Sequence, residues 1–450
     1  MAQRESWATR TGFILAAVGS AVGLGNIWRF PYQVGEQGGA AFLVMYLLLV
    51  VGVGFPVILV EFVVGRYTER NPVGALKRIG RGAWTKIGWV FITAGFVILS
   101  YYSVVAGWTL RYVLIGLGGG YSATDAPAQF GQVATGLDAV ALHAIFMAAV
   151  VAIVALGIQR GIELSVKVMV PAIIIISIGL AVYAFTLEGA GDAYAYYLSP
   201  EFSTIANNWT TILPAAAAQA FFTLSLGMGV MITYASYLGE DRNLAEDAGI
   251  IAALDTFIAF TAGLIAFPVL FAAGIEPGAS GPSLIFVSLA SAFGGLPLGG
   301  ILGAIFFATV AIAALSSAIS IMEVVVAYLI DERGVGRVPA TAALGTAMFL
   351  VGVPAALDLV FISLYDGFAN SILLMLGGLL LSIFVGWVVP DLALEEIGKG
   401  IKDVGSLGVA WLWFIRIPVV IALVVLVALN AWDYYGFLTG GFADWLSTNL

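Results

Sequence analysis

Apolar runs of about 20 residues recur along the whole chain, and each is long enough to cross a bilayer as a helix. In hydrocarbon every backbone N–H and C=O needs an internal partner, so runs of this kind fold as helices and not as open sheets. Eleven spans are expected, at roughly 10–34, 40–65, 86–117, 139–158, 163–185, 210–237, 247–273, 297–329, 339–354, 361–388 and 409–431. The first is too long and too interrupted for a cleaved signal peptide. Of the 450 residues 61% are hydrophobic and 10% charged, which excludes an ordinary soluble domain. Without cysteine there is no disulfide or thiol chemistry. No metal cluster, phosphate loop or nucleophile triad is visible, so an enzyme and a nucleic-acid binder are both disfavoured. The single histidine, His143, is expected to pack in the fourth span.

Basic residues set the expected orientation. Arg4 and Arg10 precede the first span; Arg66, Arg70, Lys77, Arg78, Arg81 and Lys86 lie between the second and third. Arg160, Lys167, Arg242, Arg333, Arg337, Lys399, Lys402 and Arg416 mark later loops on that side, leaving only Arg29 and Arg111 elsewhere. By the positive-inside rule this multi-pass cell-membrane protein has a cytoplasmic N-terminus and, after eleven spans, an extracellular C-terminus. The net charge of −9 then lies mainly on the outer face.

Two spans are interrupted. Residues 19–31, Gly-Ser-Ala-Val-Gly-Leu-Gly-Asn-Ile-Trp-Arg-Phe-Pro, place three glycines, an amide, a cation and a proline in an apolar run. A kinked packing helix also uses small residues, but Asn26 and Arg29 favour a functional site, since ionisable groups in spans are usually functional. The sixth span has a second break at Leu224–Gly229. Breaks five spans apart imply two five-helix repeats, and an odd number of spans inverts the second. The expected class is an all-α integral membrane protein with inverted repeats at 1–185 and 186–390, and an eleventh helix with an outer tail at 391–450. Such repeats hold substrate and coupling ions at the midplane, between the broken helices.

Arg-Glu-x-Trp-x-x-Arg at 4–10, the Gly19–Pro31 segment, Glu61 with Gly65-Arg66-Tyr67, and Phe222-Thr-Leu-Ser-Leu-Gly resemble the neurotransmitter:sodium symporter family. The likeness spans essentially the whole chain and is strongest to prokaryotic amino-acid transporters of the bacterial leucine-transporter type. It implies a leucine-transporter-like fold, with helices 1 and 6 broken and alternating access driven by sodium.

The resemblance implies two sodium sites. One comprises Ala21, Asn26, Thr223 and Asp255; the other comprises Gly19, Val22, Ala313, Ser316 and Ser317. Ser316 and Ser317 also suit hydroxyls that bond one turn back within their own helix. The family's usual Asn stands here as Asp255, while Ala259 occupies the place where the leucine-transporter type carries a nearby Glu. Asp255 is then expected to replace chloride as a fixed negative charge. A protonated Asp255 bonded to a carbonyl is the other reading.

The resemblance also outlines a substrate site: Ala21, Leu24, Gly25 and Tyr102 about the carboxylate, with Gly23 in place of the monoamine carriers' Asp. Phe222, Thr223 and Ser225 would offer carbonyls to the ammonium, and Ile98, Phe222, Ser225, Met228, Ser317 and Ile321 complete the surroundings. Met228 replaces an aromatic, as an adaptable wall or as simple filler. Arg29 with Asp366 resembles an outer gate, and Arg4 with Asp331 an inner gate beside Trp7 and Tyr237; the latter charges also read as ordinary loop charges. Glu61 is expected to hydrogen-bond unwound backbone, Glu323 is assigned no role, and Gly161 with Pro171 matches the family's unwinding pattern in span five. The expected function is a symporter, not an enzyme, that imports bulky aliphatic or aromatic L-amino acids with two Na+ ions and no chloride requirement. Its partners are the amino acid and the bilayer, as a monomer or homodimer. A proton-coupled carrier and a non-transporting substrate sensor are the alternatives.

Overall fold

The computed structural model describes residues 6–122, 124–278, 283–400 and 405–449. Among these residues nine helices are long and apolar enough to cross a membrane, or ten when Arg10–Ala21 and Gly25–Glu36 count as one bent span. The expected span at 210–237 is the one not reached by this measure. It is divided into Phe202–Thr223 and Val230–Ala235, and the first half of the former is interrupted by the polar residues Asn207, Asn208, Thr210 and Thr211, with a kink at Asn208. Length and hydropathy alone therefore do not yield eleven.

The bundle is built around Gly299–Arg333, which packs along Gly88–Gly118. The most apolar window of each central helix is 78% buried, against 28% for Gly405–Asn449. Apolar character alone does not distinguish core from rim here, because Ile175, Val182, Phe185 and Ile421 are exposed on peripheral helices. Such a surface is stable only against lipid.

The first helix is capped by Thr9, whose Oγ1 accepts the Gly12 N–H at 2.9 Å. It ends where Val22 turns extended (φ −76°, ψ 98°), and the chain resumes as a helix bent by 43°. In the sixth region, Ser225, Gly227 and Gly229 take left-handed φ values of 54°, 75° and 76°. Glycine adopts this conformation readily, whereas a side chain is penalised by roughly 1–2 kcal/mol. Ser225 is held in it by donating its hydroxyl to Ser20 O at 3.0 Å. Glu61, fully buried, accepts the freed Gly227 N–H at 2.8 Å.

Candidate functional site

The two breaks face each other. Between them lies a cavity of about 10 Å3, lined by Ser20, Ala21, Gly23, Gly25, Tyr102, Phe222, Ser225, Met228, Ser317 and Ile321. Its most exposed lining side chain, Phe222, shows only 7% of its surface. The Tyr102 hydroxyl accepts the Leu24 N–H at 3.1 Å, and Gln219 Nε2 donates to Gly25 O at 2.7 Å. Gly23 is sterically fixed, since a Cβ there would lie 2.2 Å from Ser317 Oγ and 2.7 Å from the Tyr102 hydroxyl.

On one side of the first break is a cluster about a carboxyl group. Asp255 Oδ1 accepts from Asn26 Nδ2 at 2.7 Å, and both carboxylate oxygens lie 3.1 Å from the Thr223 hydroxyl. Asn26 also donates to Asp255 O at 3.1 Å and accepts the Gly23 N–H at 3.1 Å. No cationic side chain among the described residues pairs with this fully buried carboxylate. On the other side is a neutral cluster. Ser317 Oγ lies 2.8 Å from Ser20 O, 3.4 Å from Gly19 O and 3.3 Å from Val22 O. Ser316 Oγ reaches Val22 O at 3.3 Å and Ala313 O at 2.9 Å. Ser316 thus combines bonding within its own helix with bonding across to the broken one, whereas Ser317 bonds only across. Convergent neutral oxygens of this kind suit a hard cation.

Two closures flank the cavity. Beside Phe222, whose ring centroid is 5.2 Å from Arg29 Cζ, the guanidinium rests on Asn370, whose amide, assigned with its oxygen toward the arginine, accepts from Nη2 at 2.8 Å and from Nη1. Arg29 Nε reaches the Tyr32 hydroxyl at 3.3 Å, while Asp366 accepts from the Tyr101 hydroxyl at 2.7 Å. The expected Arg29–Asp366 pair is thus not in direct contact: each charge is satisfied by a nearer neutral partner. On the opposite side, Trp7 Nε1 donates to Tyr234 O at 3.0 Å, and its ring stands 6.2 Å from that of Tyr237. The Tyr237 hydroxyl donates to Glu323 Oε1 at 2.9 Å, and Arg337 Nη1 donates to Glu323 Oε2 at 2.6 Å. This gives Glu323 the partners that its position in the sequence did not suggest. Asp331 accepts from Asn71 N and Nδ2, each at 3.1 Å. Its expected partner Arg4 lies outside the described residues.

Ile98 is placed differently from expectation: it is buried but does not line the cavity. Thr223 bonds to Asp255, beside which it was expected. Leu24 takes part through its backbone N–H. His143 is buried, with Nε2 3.0 Å from Phe349 O. Sequence reasoning missed Ser20, Gln219, Asn370 and Tyr101. Gln219 and Asn370 did carry a signal, as buried amides in apolar spans.

The family model described as "Sodium:neurotransmitter symporter family" matches residues 4–122 and 128–445. The chain belongs to this family. It is 34% identical to the uncharacterized sodium-dependent transporter YhdH of Bacillus subtilis, over 93% of this chain and 96% of the relative. It is 35% identical to the uncharacterized sodium-dependent transporter MJ1319 of Methanocaldococcus jannaschii, over 99% and 94%. Among solved structures it is similar to MhsT in complex with L-phenylalanine, with a TM-score of 0.88 and 39% identity over 95% of this chain and 100% of that one. As a member of a sodium symporter family, it is a multi-pass membrane transporter and not an enzyme.

Proposed function

We propose that this chain imports bulky aliphatic or aromatic L-amino acids, coupled to two sodium ions, by alternating access and without a chloride requirement. The observation that carries this reading is the cavity at the meeting of both breaks, with an oxygen cluster on either side. Amides at Leu24 and Gly25 suit a substrate carboxylate, and carbonyls of the second break suit its ammonium. Room of about 10 Å3 accommodates about one water centre. An amino acid side chain therefore enters only when Phe222 and Met228 turn aside, and their apolar surfaces favour apolar cargo. MhsT, described with L-phenylalanine, supports the same substrate class.

Asn26, Thr223, Asp255 and Ala21 are assigned to one ion; Gly19, Val22, Ala313, Ser316 and Ser317 to the other. Asp255 supplies the fixed charge that chloride would otherwise provide. Counting Phe202–Ala235 as one broken span gives eleven, with repeats over 1–185 and 186–390. The Arg29 side then faces outward and the Trp7 side faces the cytoplasm, in agreement with the basic loops. Arg29 and Asp366 close the outer route, while Trp7, Tyr237 and Asp331 close the inner one. Unwinding between Gly161 and Pro171 would release the inner ion.

The test is uptake into proteoliposomes of each of the twenty amino acids, with sodium or potassium outside at fixed pH. Leucine, phenylalanine and tryptophan should accumulate with sodium and not with potassium, equally well in chloride or gluconate. Uptake driven by a pH gradient without sodium would instead assign the coupling to protons, through Asp255 or Glu61. Preference for small or charged amino acids would overturn the proposed cargo.

A further inference from the structure

One turn of the fifth span grips the beginning of the first. The π-helical segment Ile158–Glu163 follows Gly157, and two of its side chains reach back to the N-terminal strand of chain. Gln159 Nε2 donates to Ser6 O at 2.9 Å. Glu163, only 1% exposed, accepts the Ala8 N–H at 2.9 Å and the Thr9 hydroxyl at 3.0 Å. Thr9 is itself the cap of the first helix, so the carboxylate holds the residue that holds the helix start. The approach is very close, because a Cβ on Gly12 would lie 2.2 Å from Glu163 Oε1. Lys167, one turn on, completes the carboxylate's partners at 2.7 Å.

The same stretch touches the first helix again at its far end. A Cβ on Gly19 would lie 3.0 Å from Val170 and 3.3 Å from Val166. Residues 159–170 therefore approach the first helix both at its cap and at Gly19, the residue whose carbonyl Ser317 Oγ reaches. They lie almost entirely between Gly161 and Pro171, two residues that each weaken a helix. Any loosening of this stretch moves Glu163 away from Ala8 and Thr9, leaving the Ala8 N–H and the hydroxyl of the capping Thr9 without their carboxylate partner.

We propose that Glu163 is a positioning residue that couples loosening of the fifth span to release of the first helix, so that the ion cluster at Gly19 and the N-terminal closure open as one event. This rests on the alternating-access reading above. It adds that the two movements share a single carboxylate latch.

The test is hydrogen–deuterium exchange of the full-length protein in sodium and in potassium, together with sodium binding and uptake. In the wild type, replacing sodium by potassium should accelerate exchange at 8–13 and at 158–168 by a common factor. Glu163→Ala should accelerate both segments about tenfold or more in sodium, because charge-assisted bonds are lost. It should also erase most of their sodium response, while Gly299–Arg333 stays unchanged. Thr9→Val, which keeps the carboxylate in place, should move the same two segments less, and it carries the test if Glu163→Ala does not fold. Sodium-driven uptake should fall more than sodium binding in both variants. Acceleration of one segment without the other, or wild-type exchange in both variants, would overturn the latch. Absence of sodium-driven uptake by the wild type would instead overturn the transport reading, which the paired exchange does not address.

Discussion

The two oxygen clusters beside the first break differ in kind. At Asn26, Thr223 and Asp255 a carboxyl group is buried with only neutral partners among the described residues, and when ionised it leaves its charge uncompensated. At Gly19, Val22, Ala313, Ser316 and Ser317 every ligand is neutral, and the hydroxyls already bond to the carbonyls. A buried charge without a counter-charge is expensive, whereas a network of neutral hydrogen bonds is nearly self-sufficient. The first cluster therefore favours a cation strongly, and the second has merely to be rearranged to accept one. The difference suggests that charge supplies affinity at one cluster, and that the second can respond to conformation.

Removing the charge is the most severe way to break this contrast. Asp255→Ala should lower sodium-driven uptake by roughly a hundredfold or more, on the scale of losing an ionic partner from a buried site. Asp255→Asn should restore part of that uptake in chloride but not in gluconate. Chloride-indifferent uptake at the wild-type rate by Asp255→Asn would remove the anion-replacement role altogether.

At the neutral cluster the expected effects are smaller and unequal. Ser317→Ala should weaken sodium affinity about tenfold, the scale of one lost ligand at 1.4 kcal/mol. Ser316→Ala should cost less, because its hydroxyl reaches only one carbonyl of the broken helix, whereas that of Ser317 reaches three. Sodium-dependent thermal shifts of the two variants measure the order directly; equal losses would mean that the hydroxyls are interchangeable.

Thermal stability sharpens the same comparison. Without sodium, Asp255→Asn should be more stable than the wild type, since the unpaired charge is gone. Saturating sodium at 100 times its dissociation constant should stabilise the wild type by about 2.7 kcal/mol, and the variant by less. Melting curves in choline chloride and in sodium chloride test both statements, and a less stable variant in choline would contradict the first.

Met228→Phe has the smallest expected effect and lies outside both clusters. Overpacking costs about 1–3 kcal/mol and should fall on tryptophan more than on leucine. Displacement assays that show an unchanged ranking, with sodium affinity also unchanged, would place Met228 outside the substrate's reach.

Much of this arrangement was legible because it depends on local chemistry. Glycines at 19, 23 and 25 and the Ser-x-Gly-x-Gly run at 225–229 announce backbone that cannot continue as a helix. Glu61, an acid isolated in an apolar span, points to a freed amide, and its oxygen indeed accepts the Gly227 N–H. The outer charges show the limit. Pairing Arg29 with Asp366 by family resemblance overlooked Asn370 and Tyr101, which lie closer in the folded bundle. The same limit applies to Glu323, whose partner Arg337 stands at the start of the following helix, Arg337–Leu357.

By itself the sequence determined an all-helical, membrane-embedded chain with two breaks, because hydrocarbon permits few backbone solutions and glycine placement fixes where they fail. Which oxygen-bearing residues of other helices stand near those breaks came from the resemblance to the family, not from composition or spacing. Only the tertiary structure decided which of them meet: that Asp255 lies without a cationic partner, that Ile98 stays behind the cavity wall, and that Glu163 holds the start of the first helix. The physical reason is range. Helix formation and its interruption are settled within a turn or two of chain, whereas a side chain's partner is chosen by distance across the packed bundle, as in the 32 positions between Thr223 and Asp255 and the 298 between Gly19 and Ser317.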